Sequence, residues 1–241
     1  MDDTVILIPV RLQATRFPNK PFAKIGNLPM LHYVYNSAAK FFSNVYLAIC
    51  DQTVEEYCAE HNIQYIMTDS DHISGSDRIG EAIEILENKK DFKYIINLQG
   101  DMPFIQEEYI RALKEKLLTY EMSTLACPFK DLQEAVNESK VKVEINEGEE
   151  TFAKDFYRVI KSNKKINQSF FHHIGVYGYQ KDFLKKFISL HPTKREKEEK
   201  LEQLRIIDKT KISIVHIEKE ILGVDTKEDL DRVNQQIQNH V

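Results

Sequence analysis

Three things are scarce in this chain of 241 residues: cysteine, long apolar runs and surplus positive charge. The three cysteines, Cys50, Cys58 and Cys127, are too few and too scattered for a disulfide framework, and none forms a CxxC metal spacing. They fit a reducing cytoplasm. No apolar stretch approaches the ~20 residues that cross a bilayer. The amino terminus, MDDTVILIPVR, sets acidic residues ahead of a short apolar run, the wrong flank for a secretory signal. Formal net charge is -5, which argues against a general binder of nucleic acid or of anionic membranes. Neither the phosphate-binding pattern GxxxxGK[ST] nor the dinucleotide turn GxGxxG occurs, and there is no internal repeat or low-complexity linker.

What is present is a regular alternation of apolar runs and amphipathic segments. Val5–Val10 is a continuous apolar run, the signature of a parallel strand buried on both faces. Helical spacing over Met30–Phe42 follows, then a strand at Val45–Cys50, a helix at Val54–His61, a strand at Ile63–Met67, a helix opening after Gly75 and a strand at Lys93–Leu98. That rhythm predicts an α/β fold with right-handed βαβ units on a mostly parallel sheet. Beyond Tyr120 the order loosens. Strands are expected around STLACPFK and KVKVEI with a short helix at Leu132–Val136 between them. The polar region 146–168 predicts a mixed strand extension or a flexible flap. HHIGVYGY, His172–Tyr179, reads as a strand, with a helix from Lys181. Strong helix formers fill Lys194–Ile207, KISIVHI is a late strand, and a closing helix is capped by Thr226 with Glu228 and Asp229 in its first turn.

Chemistry concentrates in the loops. Arg11, Arg16, Lys20 and Lys24 follow the first strand, and four cations so close repel one another unless something anionic sits among them. Ligands of open α/β sheets bind beyond the carboxyl ends of the strands, so this loop suits a polyphosphate; a solvated loop paired with nearby carboxylates uses the same residues. In NLQGDMPFI, Gly100 lets the backbone bend or approach a ligand, and Asp101 emerges where such a sheet holds a Mg²⁺ ion. Alternatively Asp101 and Pro103 serve only a turn. In GVDTKEDL, Asp225 either joins a helix cap or supplies a second carboxylate to the same ion. His173 and Tyr177, four apart on a strand, point to one face; a satisfied core histidine is the plainer reading of His173.

Six segments in order, IPVRLQATRFPNKP, SGSDRIGEA, NLQGDMPFI, HHIGVYGYQKDFL, EKLEQLR and GVDTKEDLDRV, together resemble the 3-deoxy-manno-octulosonate (Kdo) cytidylyltransferases, the CMP-Kdo synthetases of lipopolysaccharide biosynthesis. The resemblance implies a nucleotide-diphospho-sugar transferase fold and the reaction of CTP with Kdo to CMP-Kdo and pyrophosphate. It implies one nucleotidyltransferase domain over residues 1–241: roughly 1–120 for the nucleotide, 121–215 for the sugar and a homodimer contact, and 216–241 for a returning metal-site loop and closing helix. By matching position, Arg11, Arg16 and Lys20 would contact the triphosphate, and Asp101 and Asp225 would bind Mg²⁺. Ser74, Gly75 and Arg78 would cradle the nucleotide, with Gln99 near cytidine and sugar. Arg158, His173, Tyr177, Glu202 and Gln203 would surround Kdo. An 8-amino analogue of Kdo, or a nucleotide-binding module without turnover, are the alternatives.

Two segments depart from that pattern. Where the family carries FSRxxIP, this chain has DFYRVIKSN, so Tyr157 replaces the serine and the Ile-Pro pair is missing. Met102 follows the metal-type aspartate where glutamate is common.

Overall fold

The strand TVILIP, Thr4–Pro9 (β1), is the centre of the first half of the fold, with Val5, Leu7 and Ile8 wholly buried and Ile6 nearly so. Burying each such side chain contributes about 1.5–3 kcal/mol. The computed structural model describes residues 2–12, 17–72, 74–146, 148, 151–160 and 168–238. It divides into two compact units, 1–107 with 221–241, and 108–220.

In the first unit β1 is followed by two two-residue strands, Lys24–Ile25 (β2) and Leu28–Pro29 (β3), and by helix Met30–Ala39 (α1). Strand Val45–Ile49 (β4), helix Gln52–Glu60 (α2), strand Tyr65–Met67 (β5), helix Gly75–Glu87 (α3) and strand Tyr94–Asn97 (β6) complete the alternation. The pairings of β1, β4, β5 and β6 with one another are parallel, with Ile6 opposite Val45 on one side and Ile96 on the other. The order is β5-β4-β1-β6. The chain therefore steps outward from β1 to β5 and then returns to the other flank of β1. That reversal opens a crevice beyond the carboxyl ends of β1 and β6, the place where open sheets of this kind take ligands. The expected strands and helices of this unit are all present, with ends displaced by one to three residues. The β2–β3 hairpin was not expected. Gly26 turns it at φ 58°, and Asn234 of the C-terminal helix (Lys227–Gln238) clamps it. Asn234 Nδ2 donates to the Lys24 carbonyl at 3.1 Å, and Gly26 N–H donates to Asn234 Oδ1 at 2.8 Å.

The second unit contains helix Glu107–Lys116 (α4), strand Met122–Cys127 (β7), helix Leu132–Val136 (α5), and strands Lys142–Asn146 (β8), Phe152–Tyr157 (β9) and Phe170–Gln180 (β10). Helices Lys181–Ser189 (α6) and Lys194–Glu199 (α7) and strand Ile212–His216 (β11) follow. The order β10-β7-β11-β9-β8 returns on itself, because β8 also pairs with β10. β10 carries a bulge between Ile174 and Tyr177. The Thr124 hydroxyl faces it, 3.3 Å from the Ile174 carbonyl and 2.8 Å from that of Val176. Helix α4 escaped the pattern reading because only Ile110 and Leu113 within it are buried. Region 146–168 yields one regular strand, β9; residues 147, 149, 150 and 161–167 lie outside those described.

The helix expected over Lys194–Ile207 is broken. α7 is opened by a capping box between Thr193 and Glu196, Lys200 closes it by turning left-handed at φ 54°, and Glu202–Arg205 forms a 3-10 turn. The cause is a buried ion pair: the Arg205 guanidinium donates to both oxygens of Glu196, through Nη2 at 2.5 Å and Nε at 3.0 Å, and lies 4.8 Å from the centre of the Phe187 ring. The fold-back also buries Leu201, Leu204 and Ile206. Removing one partner leaves an uncompensated buried charge, so Arg205→Met should destabilise the protein by about 3–5 kcal/mol in urea unfolding. A loss below about 1 kcal/mol, the scale of an exposed pair, would show that the pair does not hold the turn.

Candidate active site

The crevice beyond β1 and β6 is built by close backbone packing. Gly100 follows β6, and a Cβ there would lie 3.1 Å from the Pro9 carbonyl oxygen, so tight that the backbone would have to give by a few tenths of an ångström. Glycine therefore lets the loop after β6 lie against the end of β1. Gly75 opens α3 against the same proline, with Ser74 as N-cap accepting from Asp77 N–H at 3.1 Å. The Asp101 carbonyl accepts from Val224 N–H at 2.9 Å, which ties the loop after β6 to the returning segment 223–226. Asp229 accepts from the N–H groups of Asp225 and Thr226, and Thr226 caps the C-terminal helix as expected.

Three of the candidate side chains meet in this frame. The Lys20 ammonium donates to Asp101 Oδ2 at 2.7 Å and to Asp225 Oδ1 at 3.3 Å. Lys20 opens a 3-10 turn, Lys20–Phe22, entered through left-handed Asn19 and anchored by buried Pro21. Arg11 is exposed at the end of β1, and the neighbouring Leu12 N–H donates to Asp51 at 3.1 Å. Arg16 lies outside the described residues. Gln99 donates to Asn97 Oδ1 at 3.2 Å. Arg78 is buried rather than presented to a ligand: its Nη1 donates to Thr68 Oγ1 at 2.5 Å and to the Asp69 carbonyl at 3.0 Å, holding the loop after β5.

In the second unit the bulge of β10 brings the His173 and Tyr177 rings to 5.4 Å. Tyr177 donates to Gln203 Oε1 at 3.0 Å. Gln203 is 2% exposed, and its Nε2 is the buried side-chain donor without a hydrogen-bond partner among the described residues. An unpaired buried amide costs ~1–3 kcal/mol, so this NH₂ group invites an acceptor. His173 Nε2 lies 3.0 Å from Thr124 Oγ1, the arrangement of a satisfied core histidine. Burial, then neighbouring His172, push the His173 pKa down to about 3. Burial, then Lys140, hold His172 at about 4. Burial, with Tyr179 and Glu202 adding to it, raises the Tyr177 phenol well above its usual value, so it remains a donor. Glu202 is half-buried beside Gln203 on the same 3-10 turn.

Arg158 is committed to the end of α7. Its Nε donates to the Glu199 carbonyl at 2.7 Å, its Nη2 to that of Lys200 at 3.3 Å, and its N–H to the Glu199 carboxylate at 3.1 Å. A cation is favoured where helix carbonyls are left unpaired. Lys142, which sequence reasoning passed over, supports it from below: the buried ammonium donates to the Asn137 and Arg158 carbonyls at 2.6 and 2.7 Å. Its one visible signal is a lysine alternating with valines in a strand.

Known proteins match this arrangement over nearly the whole chain. The cytidylyltransferase family matches residues 5–219. The 3-deoxy-manno-octulosonate cytidylyltransferase of Rhodopseudomonas palustris (strain BisB5) is 35% identical over 232 residues, 95% of each chain. The chain belongs to the 3-deoxy-manno-octulosonate cytidylyltransferase family. The relative of that name from Leptospira interrogans serovar Lai is 36% identical over 234 residues, covering 94% of this chain and 93% of its own. A solved CMP:2-keto-3-deoxy-manno-octonic acid synthetase complexed with CTP superposes with a TM-score of 0.86 at 30% identity, over 99% of both chains. The 4-diphosphocytidyl-2C-methyl-D-erythritol synthase of Anaerococcus prevotii, 13% identical with a TM-score of 0.61, shares the fold. The α/β nucleotidyltransferase architecture expected from the sequence is thereby borne out.

The two histidines beside the Tyr177 cluster make stability depend on pH. Unfolded imidazoles titrate near ~6.5. Below that pH the unfolded chain binds protons that the folded chain refuses until about 4 for His172 and about 3 for His173. Stability should be insensitive to these groups above ~6.5 and fall on acidification by about 1.4 kcal/mol per pH unit for each histidine. Unfolding midpoints between pH 7 and pH 5 measure this, and His173→Asn should remove its share of the slope; an unchanged slope would show that His173 is protonated in the folded state.

Proposed function

We propose that the protein transfers the cytidylyl group of CTP to 3-deoxy-manno-octulosonate, releasing pyrophosphate. The observation that carries this reading is the convergence of Lys20, Asp101 and Asp225 on one point beyond β1 and β6, in a chain similar over its length to enzymes named for that reaction. The anomeric hydroxyl of the sugar acid attacks the α-phosphorus, the bond to the β-phosphate oxygen breaks, and the hydroxyl proton passes to solvent. The work left to the protein is positioning and neutralisation of charge spread over phosphate oxygens. Arg11, Arg16 and Lys20 supply cationic donors for the triphosphate, with Ser74 and Gly75 at the start of α3 and Gln99 toward base and sugar.

The donor set at the crevice fits Mg²⁺. Two carboxylates from separate loops already hold one cationic nitrogen between them, and Mg²⁺ is typically bound by one or two carboxylates together with substrate phosphates. Asp101 and Asp225 would hold it. When bound, the ion supplies Lewis-acid polarisation of the α-phosphate and acidifies the attacking hydroxyl. In the second unit, His173, Tyr177, Glu202 and Gln203 offer the mixture of donors and acceptors that a polyhydroxy acid requires, and the unpaired Gln203 amide is the clearest vacancy for an acceptor. Arg158 would reach the sugar carboxylate only if a ligand competes with the helix-end carbonyls that now hold it.

No helix among the described residues is long and apolar enough to cross a membrane. We place the enzyme in the cytoplasm as a homodimer; the free cysteines accord with a reducing compartment.

Asp101→Asn tests the site. With CTP, Mg²⁺ and Kdo, turnover should fall by at least about 100-fold, the scale of losing a preorganised charge, while the unfolding midpoint stays close to wild type. Near-normal activity would remove Asp101 from the metal site. Kdo should be accepted over its 8-amino analogue and sialic acid; turnover confined to another acid would assign the altered DFYRVIKSN segment to specificity, and CTP affinity with no turnover on any acid would make the protein a binding module.

A further inference from the structure

Lys20 is placed for a phosphate by the proposed function, yet its ammonium is already engaged. It lies between the two carboxylates of the metal site, 2.7 Å from Asp101 and 3.3 Å from Asp225, with a side chain only 16% exposed. Two carboxylates brought this close repel each other, and the ammonium between them neutralises that repulsion. The backbone beneath Lys20 is fixed: Ala23 N–H donates to the Lys20 carbonyl at 3.0 Å, and Met30 N–H donates to the Ala23 carbonyl at 2.8 Å. Its four-carbon stem is not so constrained, and an ammonium is a compact charge with three rotatable donors. Carboxylate oxygens bound to Mg²⁺ lie ~2.0–2.1 Å from the ion, so the ion and the Lys20 nitrogen cannot occupy the same space between them.

We infer that Lys20 is a placeholder cation, which holds Asp101 and Asp225 together in the nucleotide-free protein and leaves them when a triphosphate arrives, so that the metal enters with the nucleotide rather than before it. This inference rests on the cytidylyltransferase reading of the site. The coupling follows from competition. Metal and Lys20 compete for the same oxygens, and the triphosphate competes with those oxygens for Lys20. Each ligand therefore relieves the other's competitor, and by linkage the two bind with reciprocal positive coupling. A protein of this design loads its carboxylates with a divalent ion only weakly while the nucleotide is absent.

The test is Mn²⁺ binding to the full-length, nucleotide-free protein, read from the free-ion signal in electron paramagnetic resonance. Wild type should bind Mn²⁺ weakly at this site. Lys20→Met and Lys20→Ala should bind it about tenfold more tightly or better, the scale of losing one charge-assisted bond to a carboxylate. Lys24→Met, which removes an exposed charge from the same loop region, should leave the affinity unchanged; an equal gain there would reduce the effect to general charge and overturn the placeholder role. The gain at Lys20 should vanish in Lys20→Met combined with Asp101→Asn. If neither Lys20 variant binds Mn²⁺ more tightly, while Asp101→Asn weakens Mn²⁺ binding in the presence of CTP, the placeholder role is wrong and the metal site stands. If Asp101→Asn changes Mn²⁺ binding neither with CTP nor without it, the metal site itself is wrong.

Discussion

The contact on which the site depends is backbone against backbone: the loop after β6 lies so close to the end of β1 that a Cβ at residue 100 would sit 3.1 Å from the Pro9 carbonyl oxygen and force one of them to shift. Two ordinary parallel strands are thereby converted into a place where opposite charges meet. The loop after β1 carries the cations, the loop after β6 carries Asp101, and the Val224 hydrogen bond to Asp101 draws Asp225 to the same point. Nothing exotic is required of the sheet itself. Its apolar strands supply rigidity, and the reversal of strand order supplies the opening.

The second unit solves a different problem with different means. Its strands return on themselves, and buried polar side chains occupy the interior where an all-apolar core would pack more simply. Burying them is costly unless they are paired. Thr124 faces the bulge of β10, Arg205 and Glu196 fold the chain back beneath the 3-10 turn, and Lys142 carries the carbonyl of Arg158. The Arg205–Glu196 pair and Arg158 both hold one short stretch, the end of α7 and the turn after it, which bears Glu202 and Gln203. The one buried side-chain donor left without a partner among the described residues, Gln203 Nε2, lies on that stretch.

Much of the first unit was legible because its strands are buried on both faces. TVILIP and VYLAI read as strands without help from any partner, and the helices between them follow from spacing. Helix α4 was not legible, since a helix burying two residues leaves almost no periodic trace. The break at Lys200 was illegible for another reason: helix propensity is uniform from Lys194 onward, and what interrupts it is a charge pair that exists only once the chain has folded back. The site was half legible. Composition and position identified the cationic loop and the two aspartates, but left open whether the cations serve phosphate or carboxylate. Lys20 and Asp225, 205 residues apart in sequence, come together only through the sheet. Matching by position named Arg78 and Arg158 but not their partners within the chain, which are the Thr68 hydroxyl and Asp69 carbonyl for Arg78 and the helix-end carbonyls for Arg158.

The most direct test of the account is the phosphorus balance of the complete reaction, followed by ³¹P nuclear magnetic resonance with CTP, Mg²⁺ and Kdo. The triphosphate signals should decay while a new phosphodiester and pyrophosphate grow in equal amounts, and nothing should change when the sugar acid is omitted. Appearance of CDP and inorganic phosphate instead, or decay of CTP without any sugar acid, would contradict it.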